Sequence, residues 1–176
     1  ANKFGIKIIG GDTIANQKLD ISVTIISKTL NPIFRNGVKK DDLLCYTGSL
    51  GSCKKDLEAL FENKEISNKS KFIKPKLKPK FFYEVAPFIT ASMDISDGLF
   101  FELERLSKAS NVGFEFFDEI SEDIGISGEE YEILFSFDKK NLEEIEKIAL
   151  KHKIKLTIFA KAVKGKYRTD AKNHHF

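Results

Sequence analysis

The chain contains no tryptophan, one methionine, two cysteines, three histidines and four prolines. Cys45 lies in an apolar strand-like run and Cys53 in a helical pattern, and neither belongs to a CxxC pair. Two buried, reduced thiols are therefore expected, and a structural zinc site is disfavoured. His152, His174 and His175 show no metal-ligand spacing with either cysteine. No apolar run approaches the roughly 20 residues needed to cross a bilayer. The opening Ala1-Asn2-Lys3-Phe4 carries no signal-peptide core, so a cytoplasmic protein without a membrane partner is expected. Charge of one sign is also missing: 29 basic and 26 acidic residues leave a net +3, which does not point to nucleic acid. The lysine stretch Lys69 to Lys80, with Phe72, Phe81 and Phe82 nearby, reads as a solvated connector rather than a stacking surface. Nucleophile-elbow and Ser/His/Asp groupings are absent as well.

What is present is a chain of 176 residues with 41% hydrophobic content and sixteen phenylalanines, enough for one substantial core. Strand-like runs are expected at Phe4–Ile9 and Leu19–Ile26, the second with Ile21, Val23 and Ile25 on one face. Pro32 breaks the pattern, and a domain boundary is placed near residue 30 or 31. Beyond it, strands are expected at Leu43–Thr47, within Phe88–Met93, and at Phe114–Phe117, Tyr131–Phe137 and Ile154–Ala160. Helices are expected from Ser52 to Asn63, Phe81 to Ala86, Leu99 to about Asn111 and Asn141 to His152. Ser67–Lys80, with Pro75 and Pro79, is expected to be an exposed connector, and Asp118–Gly128 an acidic loop. This alternation suggests an α+β or α/β layer with helices covering one sheet.

Chemistry concentrates in Met93-Asp94-Ile95-Ser96-Asp97-Gly98-Leu99, where an apolar strand passes into a helix. A helix N-terminus favours anions. Asp94 and Asp97 reverse the local sign, so a phosphate would approach with a divalent cation between. The competing reading is that Ser96 or Asp97 caps the helix. Gly10-Gly11-Asp12-Thr13 offers a close backbone approach beside a carboxylate, or a plain turn. Thr47-Gly48-Ser49-Leu50-Gly51-Ser52 fails both G-x-x-x-x-G-K-[ST] and G-x-G-x-x-G, and reads as a structural glycine turn. In Ser127-Gly128-Glu129-Glu130-Tyr131-Glu132, strand alternation puts Glu129 and Tyr131 on one face and Glu130 and Glu132 on the other.

In this order the segments resemble the thiamine-monophosphate kinase family of the aminoimidazole ribonucleotide synthetase superfamily. The matching residues are Gly10 to Thr13, Arg35-Asn36-Gly37 ahead of Asp42, Tyr46-Thr47-Gly48 with Leu50-Gly51-Ser52, Asp94 to Leu99, Val112-Gly113, Gly128 to Glu132, and His175-Phe176. Asp-Ile-Ser-Asp-Gly-Leu is the specific element. The resemblance implies an α+β chain: the C-terminal α/β domain of that superfamily, a mixed sheet covered by helices, at residues 31–176, preceded by the last strands of a β-rich ATP- and metal-binding domain, residues 1–30. It implies ATP-dependent phosphorylation of thiamine monophosphate to thiamine diphosphate with Mg²⁺, by a homodimeric full-length enzyme. Asp12, Asp94 and Asp97 would be catalytic metal ligands, Gly11, Asp12, Arg35 and Ser96 ATP contacts, and Glu129 the thiamine contact. The family's N-terminal Gly-Asp-Asp stretch has no counterpart, so this chain alone is expected to be inactive. Asn173 and His174 stand where an aromatic substrate contact is usual, which leaves Tyr167 as its replacement. Two other readings remain open: another ATP-dependent enzyme of the superfamily, and a non-catalytic nucleotide-binding module.

Overall fold

The computed structural model describes residues 5–15 and 17–171. The closing Asn173, His174 and His175-Phe176 of the sequence comparison lie outside them. The chain divides into two compact units, Ala1–Asn31 and Pro32–Phe176.

In the first unit the described residues form neither helix nor strand. This corrects the two strands expected there. Ile8, Leu19, Ile21, Val23 and Ile25 are all more than 70% exposed. β-Branched alternation favours an extended chain, but a strand also needs a neighbour for its backbone hydrogen bonds and a core for its apolar face. The described residues of this unit provide neither.

The second unit is built on five strands: β1 (Leu43–Thr47), β2 (Ala91–Ile95), β3 (Val112–Phe116), β4 (Glu132–Phe137) and β5 (Leu156–Lys164). They form one sheet in the order β2-β4-β1-β5-β3. Every ladder is antiparallel, with Cys45 opposite Phe135, Met93 opposite Leu134, and Phe114 opposite Ala162. The α+β class is as expected, whereas the sheet is antiparallel throughout instead of mixed. Among the described residues five α-helices accompany it: α1 (Ser52–Phe61), α2 (Pro79–Val85), α3 (Leu99–Ser110), α4 (Glu122–Gly125) and α5 (Leu142–Lys151). The one-turn α4 falls inside the acidic stretch expected to be a loop.

The inner strands β1, β4 and β5 feed two cores because successive side chains point to opposite faces, whereas the edge strands β2 and β3 feed only the first. On one face Leu44, Met93, Ile95, Leu134 and Phe159 pack against Leu99, Leu103 and Leu106 of α3. On the other, Leu43, Cys45, Phe135 and Phe137 pack against Phe81 and Val85 of α2 and Ile145, Ile148 and Ala149 of α5. Both cysteines are free and buried, as their patterns indicated. The left-handed Asn111, at φ 56°, ends α3 where the sequence places its stop. Strand β2 is one edge of the sheet and β3 the other, and Asp94 is the exposed residue of β2.

Candidate functional site

The end of β2 and the start of α3 form one side of the site. Asp94 points outward from β2, between the buried Met93 and Ile95. Gly98 is the residue before α3, at φ 119°. A Cβ there would stand 2.9 Å from the Gly125 carbonyl oxygen, so both the conformation and the close approach require glycine. No side chain at Gly98 caps the helix. Glu102, fully buried in the first turn, turns back instead. Its Oε1 accepts the Asp97 N–H at 3.1 Å and the Ser96 hydroxyl at 3.3 Å. Arg105 Nη1 donates to both Glu102 oxygens at 2.8 Å and its other nitrogen pairs with Asp97. Glu102 thus braces the strand-to-helix junction through the two residues that precede Gly98, and its carboxyl group lies in the first turn, near the positive end of the helix dipole.

The second side arrives from the mouth of β4. Glu129 N–H donates to the Ser96 carbonyl at 2.7 Å and Tyr131 N–H to the Ile95 carbonyl at 2.8 Å. A Cβ on Gly128 would stand 2.9 Å from Ser96 O, so this docking requires glycine there. Glu129 and Tyr131 both have left-handed backbones, at φ 56° and 48°. Such conformations cost roughly 1–2 kcal/mol each for a residue with a side chain, and they persist where surrounding contacts over-determine them. The Tyr131 hydroxyl donates to Glu129 Oε2 at 2.9 Å. Its pKa is held above the ordinary value by that bond first, then by burial and by the charges of Glu129, Asp94 and Asp97. The tertiary fold thus brings Asp94, Ser96, Asp97, Glu129 and Tyr131 into one electrostatic neighbourhood.

Behind this surface lies a second cluster of charged side chains. Glu130 and Glu132, on the alternate face, are buried. Glu130 Oε1 accepts from Gly51 N–H at 2.7 Å, Cys53 N–H at 3.2 Å and the Ser127 hydroxyl at 2.6 Å. Ser127 Oγ also accepts the Lys54 N–H at 3.1 Å. The glycine turn before α1 is therefore filled by the protein's own carboxylate, which explains why it is not a phosphate loop. Lys71 pairs with Glu130 and Glu132, and Lys78 Nζ meets Glu132 Oε2 at 2.5 Å. The Ser67–Lys80 connector thus sends two lysines inward, contrary to its reading as wholly exposed. The available signal was the alternation itself: two carboxylates on a buried strand face require cations. Burial, reinforced by Glu130, pushes the Cys53 thiol up to about 12, and burial also raises Cys45. Neither offers a thiolate near neutral pH.

Arg35 opens a 3₁₀ turn, Arg35–Gly37, pinned to α3 by the Ser110 hydroxyl, which donates to the Arg35 carbonyl at 3.0 Å. With Ile33, Phe34, Asn36, Ser92, Met93 and Ala109 it lines a pocket of about 460 Å³. Ser92 and Asp94 share a strand face, so this pocket and the exposed carboxylate lie along one edge. Gly11 and Asp12 belong to the other unit, where Asp12 Oδ1 accepts the Thr13 N–H at 2.8 Å. Tyr167 does not replace the missing aromatic contact. Its ring packs on Phe114 and Phe116 of β3, the sheet edge opposite Asp94.

Among the described residues no three His, Cys, Asp or Glu side chains converge as a metal cage. An exposed Asp94 beside Asp97 does fit Mg²⁺, which is commonly held by one or two carboxylates together with substrate phosphates and water.

No protein-family profile matches the chain. It is 31% identical over 161 residues to thiamine-monophosphate kinase from Pyrococcus horikoshii, covering 82% of this chain and 52% of that protein. It is also 30% identical over 167 residues to thiamine-monophosphate kinase from Nitrosopumilus maritimus, covering 84% of this chain and 54% of that protein, so thiamine-monophosphate kinases are what the chain is similar to. It spans about half the length of the curated relatives it matches. Among solved structures, thiamine-monophosphate kinase from Stenotrophomonas maltophilia superposes with a TM-score of 0.69 at 17% identity, over 82% of this chain and 54% of that one. AaThiL complexed with AMPPCP and TMP gives 0.66 at 21% identity, over the same shares, 82% and 54%. At these identities the structures establish the shared fold.

Proposed function

We propose that this chain is part of an enzyme that transfers the γ-phosphoryl group of ATP to thiamine monophosphate, giving thiamine diphosphate and ADP. The observation that carries this reading is the docking of Glu129 and Tyr131 onto the Asp94–Asp97 junction. It sets a carboxylate suited to a cationic ring beside carboxylates suited to a phosphate-bound cation. Asp94 and Asp97, with Asp12, would hold Mg²⁺. Gly11, Asp12, Arg35 and Ser96 would contact ATP, and Glu129 the thiamine ring. The full-length protein would act as a homodimer.

The chemistry needs little from the protein beyond placement and charge neutralisation. The acceptor is itself a phosphate, whose second ionisation lies near pH 6, so its oxygen is a competent nucleophile at neutral pH. That oxygen bonds to the γ-phosphorus as the bridge to the β-phosphate breaks, and ADP carries the electron pair away. No general base is required, in keeping with a site of carboxylates, a hydroxyl and arginine. Mg²⁺ supplies screening between the two polyanions, and Arg35 offers a planar, bidentate phosphate contact.

The complete protein, supplied with thiamine monophosphate and ATP, is expected to form thiamine diphosphate at a Mg²⁺-dependent rate. ATP turnover with a different acceptor and none with thiamine monophosphate would sink this reading. The 176 residues alone are expected to show negligible turnover, because the chain covers only half of its relatives.

A further inference from the structure

Lys71 and Lys78 lie on the connector between α1 and α2, a stretch outside both cores. Yet their side chains are only 12% and 13% exposed. The Lys71 ammonium has three N–H donors and three acceptors surround it: Glu130, Glu132 Oε1 at 3.3 Å and the Ser49 carbonyl at 2.5 Å. Lys78 and the Thr47 hydroxyl, at 2.5 and 2.6 Å, meet the other Glu132 oxygen. The connector is tied down again where the Ser70 hydroxyl donates to Asp56 of α1. Glu130 Oε2 has no hydrogen-bond partner and meets Lys71 as an ion pair, so both carboxylates keep these cations only while the connector lies across them.

Glu130 and Glu132 alternate with Glu129 and Tyr131, so whatever fixes one pair along the backbone fixes the other. Without the lysines, neither Glu130 nor Glu132 would be tied to the connector, and that loss does not depend on whether the freed side chain is charged. The mouth of β4 would relax, and the left-handed conformations of Glu129 and Tyr131 would lose the contacts that enforce them. We infer that Lys71 and Lys78 are positioning residues, a two-lysine clasp that aims Glu129 and Tyr131 at the acidic junction and so sets affinity for the cationic ring of the acceptor. This rests on the proposed role of Glu129. The proposed nucleotide contacts of this unit, Arg35 in the 3₁₀ turn and Ser96 between β2 and α3, are not among the partners of either lysine.

The test compares Lys71→Met and Lys71→Met/Glu130→Gln in the complete protein. In the double variant Lys71 and Glu130 are neutralised together, so neither leaves the other as an unpaired buried charge. The side-chain amide oxygen that replaces the carboxylate still accepts from Gly51 and Cys53, and the melting temperature should stay close to wild type. Both variants are expected to raise KM for thiamine monophosphate tenfold or more while KM for ATP stays within twofold. Amide exchange at Glu129 and Tyr131 should accelerate at least tenfold relative to β1. A folded double variant with unchanged exchange and unchanged KM for thiamine monophosphate would overturn the clasp. An equal rise in KM for both substrates would overturn it too, because that marks general loosening. Wild-type protein that ignores thiamine monophosphate overturns the functional reading instead, and exchange at Glu129 and Tyr131 still reports on the clasp.

Discussion

Asp94 and Asp97 sit three residues apart and meet different surroundings. Asp94 is exposed on an edge strand, whereas Asp97 is paired with Arg105, itself 42% exposed and shared with the buried Glu102. Exposed or half-exposed ion pairs contribute about 0–1 kcal/mol. Asp94→Asn is therefore expected to leave the melting temperature unchanged, and Asp97→Asn to lower it slightly. Each should reduce turnover of the complete enzyme a hundredfold or more. Normal turnover with a large loss of stability would assign these carboxylates to the fold alone. The acid pair and Glu129 were legible in the sequence because each belongs to a short contiguous motif. Glu102, Arg105 and Lys71 were not, because their partners are fixed by helix phase and by the path of a connector.

At the scale of elements, the sheet and its helices follow from periodicity. Leu99, Leu103 and Leu106 recur at helical spacing and all become core. The order of the strands was not legible, because every strand here is apolar enough to pair with any other. One contact between elements is sensitive to acid. Glu84 of α2 accepts from Lys151 Nζ of α5 at 2.5 Å and meets His152 Nε2 at 2.7 Å. The Lys151 bond first, and His152 second, hold its carboxyl below the ordinary value of 4.5. A depressed folded pKa means the contact stabilises above the unfolded pKa and is lost as pH falls through the folded one. Stability measured by urea titration should therefore decline as pH drops below about 4.5, and Glu84→Gln should flatten that decline. An identical acid profile in the variant would show that α2 and α5 are held by their apolar contacts alone.

For the whole molecule, the two units differ in what can protect them. Residues 5–31, with Asn16 apart, carry exposed aliphatic side chains and no regular structure, while the second unit buries two cores around one sheet. Limited proteolysis of this chain should cut first among residues 5–31 and leave a resistant fragment beginning near Pro32, identifiable by mass. Initial cutting inside β1 to β5 would contradict that division. No helix among the described residues is long and apolar enough to cross a membrane.

The sequence by itself determined the five strands and the helices other than α4 in the second unit, and the motif that carries the family resemblance, because periodicity and contiguous motifs are local properties. Only the tertiary structure decided that the expected strands of residues 4–26 have no ladder among the described residues, that the sheet is wholly antiparallel, and that a lysine-rich connector turns inward. Each of those depends on which distant backbone or charge is available as a partner. A buried carboxylate such as Glu130 does not name its cation until the chain has folded around it.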